Sequence, residues 1–280
     1  MLLDLTIAIP VRNEEINLPG CLRAVGNNLA QNVILIDSGS TDRTKEIAGE
    51  FGAEILDFTW NGKYPKKRNW FLQNHAPSTK WILFLDADEY LTDDFKAELR
   101  EKLTRDDKVG YWLRYSIYFM GKKLKGGYPL KKLALFRLGA GEYERIDEDQ
   151  WSNLDMEVHE HAVLSGEIGY FKSMIDHKDF RGVTHLNNKH NEYAIWESRR
   201  FLKIKDNTAI RSSWTWKQRT KYYLMGTIWV GPAFLFGSFI LLGGFRDGTR
   251  GLAFAIFKMS YFNQVYCNIQ EQINVNKNNS

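Results

Sequence analysis

The chain opens on short apolar runs separated by amphipathic ones. Residues 5–9 are a short apolar run that stops at Pro10, the signature of a buried strand. Residues 13–28 carry Leu18, Leu22 and Val25 at helical spacing. Residues 33–36 are β-rich and are closed by Asp37-Ser38-Gly39-Ser40. The pattern then predicts a helix over 41–51, capped by Thr41 or Asp42, and a strand over 53–58. It continues with a helix over 66–74, a fourth apolar strand over 81–85 ending at Asp86, and a helix over 92–103 capped by Thr92. This alternation predicts an α/β fold, with a mostly parallel central sheet and helices on both faces. In such sheets ligands gather beyond the carboxyl ends of the strands. The polar clusters after Ile9, Ile36 and Leu85 all fall at those ends.

From residue 110 the pattern changes. Residues 111–120 and 133–138 are strand-like and aromatic-rich, with turns marked by Gly126-Gly127 and Gly139-Ala140-Gly141, so this half is expected to form mixed or antiparallel strands and acceptor-side loops. Residues 177–205 read as a polar helix. Residues 222–245 carry no charge, a length that could cross a bilayer. Gly226, Gly231, Pro232, Gly237, Gly243 and Gly244 interrupt that stretch, and Pro232 would kink or break a helix. Arg211, Lys217, Arg219 and Lys221 precede it, together with Trp214, Trp216, Tyr222 and Tyr223. Basic and aromatic residues in that mixture suit a membrane–water interface. A second apolar patch follows at 252–257 with Tyr261 and Phe262. The expectation is a C-terminal helical membrane-associating segment, a hairpin dipping into one leaflet, with residues 206–262 meeting the membrane surface. Arg246, Asp247 and Arg250 argue against a full span, and the competing reading is a buried helix pair.

Composition narrows the choice further. With 44% hydrophobic and 26% charged residues the chain is not intrinsically disordered. A net charge of +4 is mild, and its basic residues crowd the apolar stretch, so no nucleic-acid partner is expected. Cys21 and Cys267 form no CxxC pair, which excludes a cysteine zinc site and fits a reducing, cytosolic compartment. The first residues lack the basic flank and long apolar run of a signal peptide. No GxGxxG follows the first strand, which argues against a dinucleotide-dependent oxidoreductase.

The chemistry concentrates at the strand ends. Asp86-Ala87-Asp88 places two carboxylates just past a buried strand, where a hard divalent cation such as Mg²⁺ or Mn²⁺ could meet them and bridge to a diphosphate. Asp37-Ser38-Gly39-Ser40-Thr41-Asp42 could accept from a base or ribose, or simply cap a helix. Pro10-Val11-Arg12-Asn13-Glu14-Glu15 is a third such cluster. In order and spacing these three segments resemble the family 2 glycosyltransferases, over roughly the first hundred residues.

The resemblance implies an A-type glycosyltransferase fold, an inverting hexosyl transfer and a nucleotide-diphospho-sugar donor. It places Pro10, Arg12, Glu14, Asp37, Ser38, Asp86 and Ala87 at the donor, with Asp88 and Asp86 toward a Mn²⁺ or Mg²⁺ ion. Lys66-Lys67-Arg68-Asn69 matches an Arg-Asn pair that the family often carries near the diphosphate, implicating Lys66 and Arg68. Arg suits bidentate phosphate contact, while a solvated basic face is the plain alternative. Trp60-Asn61-Gly62-Lys63-Tyr64, Val158-His159-Glu160 and Gly243-Gly244-Phe245-Arg246-Asp247-Gly248 are similar to the bacterial lipopolysaccharide-core glucosyltransferases, except that Arg246 stands where that subgroup usually has Leu. UDP-glucose is therefore the default donor.

Inverting transfer needs a base for the acceptor hydroxyl. Glu160 is the first candidate, with Glu157 and Asp155 behind it, and His159 is a candidate metal or diphosphate contact. His185, His190, Trp196 and Glu197 are candidates for the acceptor side. The expected plan is a catalytic domain over 1–205, a helical membrane segment over 206–270 and a polar tail over 271–280. Within the first, 1–105 is the nucleotide-sugar-binding half and 106–205 the acceptor-side half. The expected acceptor is lipid-linked or a lipopolysaccharide core, met at the inner face of the cytoplasmic membrane by a peripheral or monotopic enzyme. Competing readings are transfer to polyprenyl-phosphate or a carrier-linked oligosaccharide, and a non-catalytic nucleotide-sugar-binding scaffold.

Overall fold

Strand β1 (Leu3–Val11) is buried from Leu5 onward because both of its faces are covered. Leu5, Ile7, Ile9 and Val11 point into one apolar cluster, and Ala8 points into another. The period-2 geometry of a strand makes that division automatic. The first cluster is completed by α1 (Leu18–Val25), α2 (Thr44–Glu50) and α4 (Asp93–Lys102). Phe71 of α3 (Lys67–Asn74) joins the second. Helices therefore cover both faces, as the sequence pattern predicts.

The computed structural model describes residues 1–105, 107–145, 154–155, 161–205, 207–212 and 214–278. They form two units, Met1–Tyr118 with Leu130–Phe180, and Phe119–Pro129 with Arg181–Ser280. Besides β1, the first unit contains β2 (Ala30–Asp37), β3 (Glu54–Asp57), β4 (Trp81–Phe84), β5 (Glu89–Tyr90) and β6 (Gly110–Phe119, whose last residue belongs to the second unit). A two-residue β7 (Lys122–Lys123) lies in the second unit, and β8 (Lys131–Arg137), β9 (Gly141–Tyr143), β10 (Ala162–Leu164) and β11 (Ile168–His177) return to the first. The main sheet runs β3-β2-β1-β4-β8-β6-β11-β5, and β9 pairs with β10 on its own.

The sheet is mixed rather than mostly parallel, and its antiparallel pairings fall in the later half, where mixed or antiparallel strands are expected. β1, β2, β3 and β4 are parallel neighbours. β8 is antiparallel to both β4 and β6, while β11 runs parallel to β6 and antiparallel to β5. The reason lies in the connections. Parallel neighbours require a crossover, usually a helix, and β6 reaches β8 without one.

Two helix starts also differ from the sequence reading. α1 begins at Leu18, with Pro19 in its first turn, where a missing N–H costs nothing. Asn13 sits in the left-handed region at φ 55°, so residues 13–17 turn before the helix begins. α2 begins at Thr44; Arg43 at the N-cap position makes no side-chain cap, but Asp42 Oδ1 accepts from Thr44 N at 3.0 Å, while Thr41 serves the loop. Thr92 does cap α4, with its hydroxyl accepting from Phe95 N at 3.2 Å while donating to Met174 O at 2.9 Å. Thr92→Ala should therefore cost about 1–2 kcal/mol, read as a lower urea midpoint at unchanged slope.

The second unit is helical, with α5 (Gly182–Ile204), α6 (Thr208–Ser212), α7 (Trp216–Met225), α8 (Val230–Phe236) and α9 (Gly248–Asn278). The division between units falls at Arg181, and α5 lies in the helical unit. His177 ends a strand and does not start the helix expected over 177–205. Residues 222–245 are divided among the end of α7, α8, a π-helical turn (Gly237–Leu241) and a 3₁₀ turn beginning at Gly244. Among the described residues no helix is long and apolar enough to cross a membrane. The segment Gly243 to Gly248 has a local structural task. Asp247 accepts from Lys125 N and Gly126 N at 2.8 and 3.2 Å, and Leu242 O accepts from Gly127 N at 2.9 Å. A Cβ on Gly126 would collide with the Gly243 carbonyl, so the two glycine-rich turns fit only as glycine.

Candidate functional site

The loops after β1 and β2 are stitched together. Asn13 N donates to Ser40 Oγ (2.9 Å), Thr41 N to Asn13 Oδ1 (2.8 Å) and Glu14 N to Thr44 Oγ1 (2.8 Å). Glu15 N donates to Asp42 Oδ2 at 3.0 Å. Asp37 is fully buried and accepts from Gly39 N and Ser40 N at 3.0 Å each, and from the Ser40 hydroxyl. Gly39, at φ 75°, makes that tight turn possible. Asp37 thus anchors its own loop. Pro10 is buried at the end of β1, whereas Arg12 is exposed. Ser38 Oγ is buried and, among the described residues, has no hydrogen-bond partner, so it is a hydroxyl available to a ligand.

The loop after β4 is more strongly charged. Leu85 N still pairs with Ala8 O at 3.0 Å, and the chain then leaves the sheet at Asp86. Asp86 Oδ1 accepts from Arg68 at 2.7 Å, and its Oδ2 accepts from Lys132 Nζ at 2.5 Å. The same Lys132 ammonium donates to Glu89 Oε1 at 2.5 Å, and Glu89 Oε2 accepts from Asp86 N at 3.1 Å. Burial alone would raise the Asp86 carboxyl, but Lys132 and Arg68 outweigh it and hold it well below the usual carboxylate range. Glu89 is more deeply buried, and burial with the nearby Asp86 charge pushes its carboxyl up despite Lys132. Asp88 is 4% exposed and lies 3.4 Å from His177 Nε2 across the β5–β11 pairing. Burial disfavours the charged imidazole, but the Asp88 carboxylate more than offsets this and raises His177 above its ordinary value. Ala87 is buried between the two acids.

α3 brings the basic run into this cluster. Lys66, Lys67 and Arg68 are all buried, so they do not form a solvated face. Lys67 Nζ donates to Val11 O at 3.1 Å and lies 3.1 Å from Asp155 Oδ2, while Lys67 N donates to Asp155 O. Burial pulls the Lys67 ammonium below its ordinary value, and Asp155 opposes that. Asn69 exchanges two hydrogen bonds with the Tyr143 backbone (2.9 and 3.0 Å), fixing α3 to β9. That clamp holds Arg68 over the Tyr143 ring, 5.3 Å from its centroid, and aims it at Asp86.

The structure therefore brings Arg68, Asp86, Ala87 and Asp88 together. It ties Pro10, Glu14, Asp37 and Ser38 into the adjoining strand-end loops, joined through Lys67 to Val11 O and through Asn17, whose amide donates to Glu14 and Asp179 at 3.1 Å. Glu157, His159 and Glu160 lie outside the described residues. His190, Trp196 and Glu197 are buried within the helical unit. Lys132 is a component that sequence reasoning leaves out. The only trace of Lys132 is a Lys131-Lys132 pair opening an apolar run.

Among the described residues no group of three or more His, Cys, Asp or Glu side chains is arranged to hold a metal ion. Both Asp86 oxygens are engaged by cations, which leaves Asp88 as the carboxylate this loop can offer a metal. Such a set fits a Mg²⁺-like ion only if a bound diphosphate and water supply the remaining oxygens, which is how Mg²⁺ usually binds.

Several known proteins are similar in sequence to this chain. A TPR repeat-containing protein of Synechococcus elongatus is 35% identical over 108 residues, covering 39% of this chain and 26% of that protein. An uncharacterized glycosyltransferase of Rickettsia typhi is 25% identical over 205 residues, covering 70% of this chain and 67% of that one. The 4,4'-diaponeurosporenoate glycosyltransferase of Staphylococcus aureus is 37% identical over 150 residues, covering 51% and 40%. The chain thus spans from about a quarter to two thirds of the length of these relatives. Residues 6–166 match the profile of glycosyl transferase family 2, a span that takes in every strand-end loop described above. With more than half of its length inside that profile, the chain belongs to glycosyl transferase family 2.

Proposed function

We propose that this chain is an inverting, metal-dependent hexosyltransferase. It moves a sugar from a nucleotide-diphospho-sugar, with UDP-glucose as the default, to a lipid-linked or lipopolysaccharide-core acceptor at the inner face of the cytoplasmic membrane. The observation that carries the reading is the buried Asp88 beside the Arg68–Asp86–Lys132 cluster at the end of β4. Family membership supports the donor class. The exposed Trp229, Phe236, Leu241 and Phe245 of the helical unit support an apolar surface as neighbour.

Arg68 and Lys132 are the cations of this cluster that can turn N–H donors to diphosphate oxygens. Asp86 holds the two cations in place, and Ser38 Oγ can pair with a polar group of the donor. Asp88, with the donor diphosphate, would hold the Mn²⁺ or Mg²⁺ ion, which supplies charge compensation as the nucleoside diphosphate leaves. Asp155 Oδ2 lies 3.1 Å from Lys67 Nζ. Glu160 is the first candidate base for the acceptor hydroxyl, with Glu157 and Asp155 behind it.

The test is nucleoside diphosphate release from a panel of nucleotide-sugars, with lipid fractions as acceptors. Treatment with EDTA should lower the rate by about 10²-fold or more, and added Mn²⁺ or Mg²⁺ should restore it. A rate unaffected by EDTA would remove the metal from the proposal. Absence of release from every donor, with metal present, would remove the transferase.

A further inference from the structure

The helical unit contains a basic cluster of its own. Lys258 of α9 is half-buried and places Nζ 3.1 Å from His190 Nε2 of α5. The same ammonium lies over the rings of Tyr128 and Tyr261, 5.5 and 5.6 Å from their centroids. His190 packs its ring on Phe257 and Tyr261, each at 5.0 Å. Burial, with the charge of Lys189 nearby, pushes the Lys258 ammonium down to about 8. Among the described residues none of its partners is a carboxylate. Glu197, the acid whose charge reaches Tyr261, is bound by Lys221 at 2.7 Å. A shielded ammonium flanked by a second lysine and an imidazole favours an anion.

The same cluster borders an apolar face. Tyr128, which covers Lys258, also touches Phe234 of α8 at 6.3 Å between centroids, and Phe234 packs on Phe262 at 4.7 Å. From there α8 and the π-helical turn expose Phe236 and Leu241, 55% and 72% accessible. Exposed Arg219 and Arg246 add positive charge to the same unit. Cationic groups beside exposed aromatic and aliphatic side chains match an anionic lipid surface rather than a neutral one.

We infer that the helical unit binds a lipid-borne phosphate, with the phosphate against Lys258 and His190 and the lipid chains covering the exposed side chains of α8 and the turn after it. A phosphate, with several acceptor oxygens and up to two charges, suits two lysines and an imidazole better than a single carboxylate does. The inference deepens the lipid-acceptor reading above and rests on it for its place in the reaction. The binding itself needs neither donor nor metal.

Vesicle co-sedimentation of the full chain, without nucleotide-sugar or metal, tests it. Vesicles of phosphatidylcholine alone are compared with vesicles that also contain phosphatidic acid, and inorganic phosphate serves as a soluble competitor. The wild type should bind the phosphatidic acid vesicles about tenfold more tightly than the neutral ones. Lys258→Gln should lose most of that preference, Lys258→Arg should keep it, and Phe236→Ser with Leu241→Ser should weaken binding to both vesicles. Equal binding of both vesicles by the wild type would overturn the inference, as would Lys258→Gln behaving like wild type. Tight binding of inorganic phosphate without vesicle binding would overturn it too, and would mark a site for a soluble anion. The assay contains no donor, so its result is separate from that of nucleoside diphosphate release.

Discussion

Asp88→Asn should lower the rate of transfer by about 10²–10³-fold in kcat while the protein stays folded. The amide keeps the shape and most of the hydrogen-bonding capacity of the carboxylate but removes its charge. Asp88 stands at the end of β4, almost fully buried, and holds His177 through charge. With that charge gone, His177 returns toward its ordinary, mostly neutral state at pH 7, so no uncompensated charge is left behind. The stability cost should stay near 1 kcal/mol, checked by thermal melting. The catalytic cost is large because Asp86 and Glu89, the neighbouring carboxylates, are bound by Arg68 and Lys132. A variant with kcat within about fivefold of wild type, assayed with saturating Mn²⁺, would mean that Asp88 does not serve the leaving diphosphate.

Lys132→Met should be damaging in two ways. Its ammonium is the shared partner of Asp86 and Glu89, and removing it leaves two carboxylates facing each other in a poorly solvated site. The expected loss of stability is about 2–4 kcal/mol at pH 7. The sign with pH follows from Glu89. Its folded-state affinity for a proton is already raised by burial and by Asp86, and loss of Lys132 raises it further. The native state then binds a proton that the unfolded chain releases in the ordinary carboxylate range. Stability therefore falls as pH rises above that range and recovers as pH is lowered into it. Urea titrations at several pH values read this directly, and a penalty independent of pH would count against the Asp86–Lys132–Glu89 arrangement. Transfer should fall as well, because Asp86 would no longer be held in its present geometry.

The first four strands are legible in the sequence because both faces of that part of the sheet are covered, which turns β1 and β4 into unbroken apolar runs. The position of Asp86-Ala87-Asp88 at a strand end was legible for the same reason. The antiparallel character of the later strands was legible in the change of pattern after residue 110, but the place of β8 between β4 and β6 was not, because no local pattern encodes a strand's neighbours. The start of α1 was obscured because Leu18, Leu22 and Val25 set a helical spacing that extends backward by pattern alone, while the turn at Asn13 depends on bonds to Ser40 and Thr41. Lys66-Lys67-Arg68 has the composition of a solvated face. It is buried because Val11 O, Asp155 and Asp86 receive its charges. The role of Lys132 arises only when β8 lies beside β4, a juxtaposition that no local pattern encodes. The uncharged stretch over 222–245 resembles a single apolar helix by composition, yet the chain turns after Met225 and again at Gly243, where φ is 74°.

Calorimetric titration of UDP into the protein, with and without Mn²⁺, tests the strand-end site most directly, because it reads binding without requiring the acceptor. The predicted result is UDP binding that tightens at least about tenfold with Mn²⁺ in the wild type, and a gain that disappears in Asp88→Asn. Equal UDP affinity with and without Mn²⁺ in the wild type, or an undiminished Mn²⁺ effect in Asp88→Asn, would contradict the assignment of Asp88 as the residue that joins metal and diphosphate.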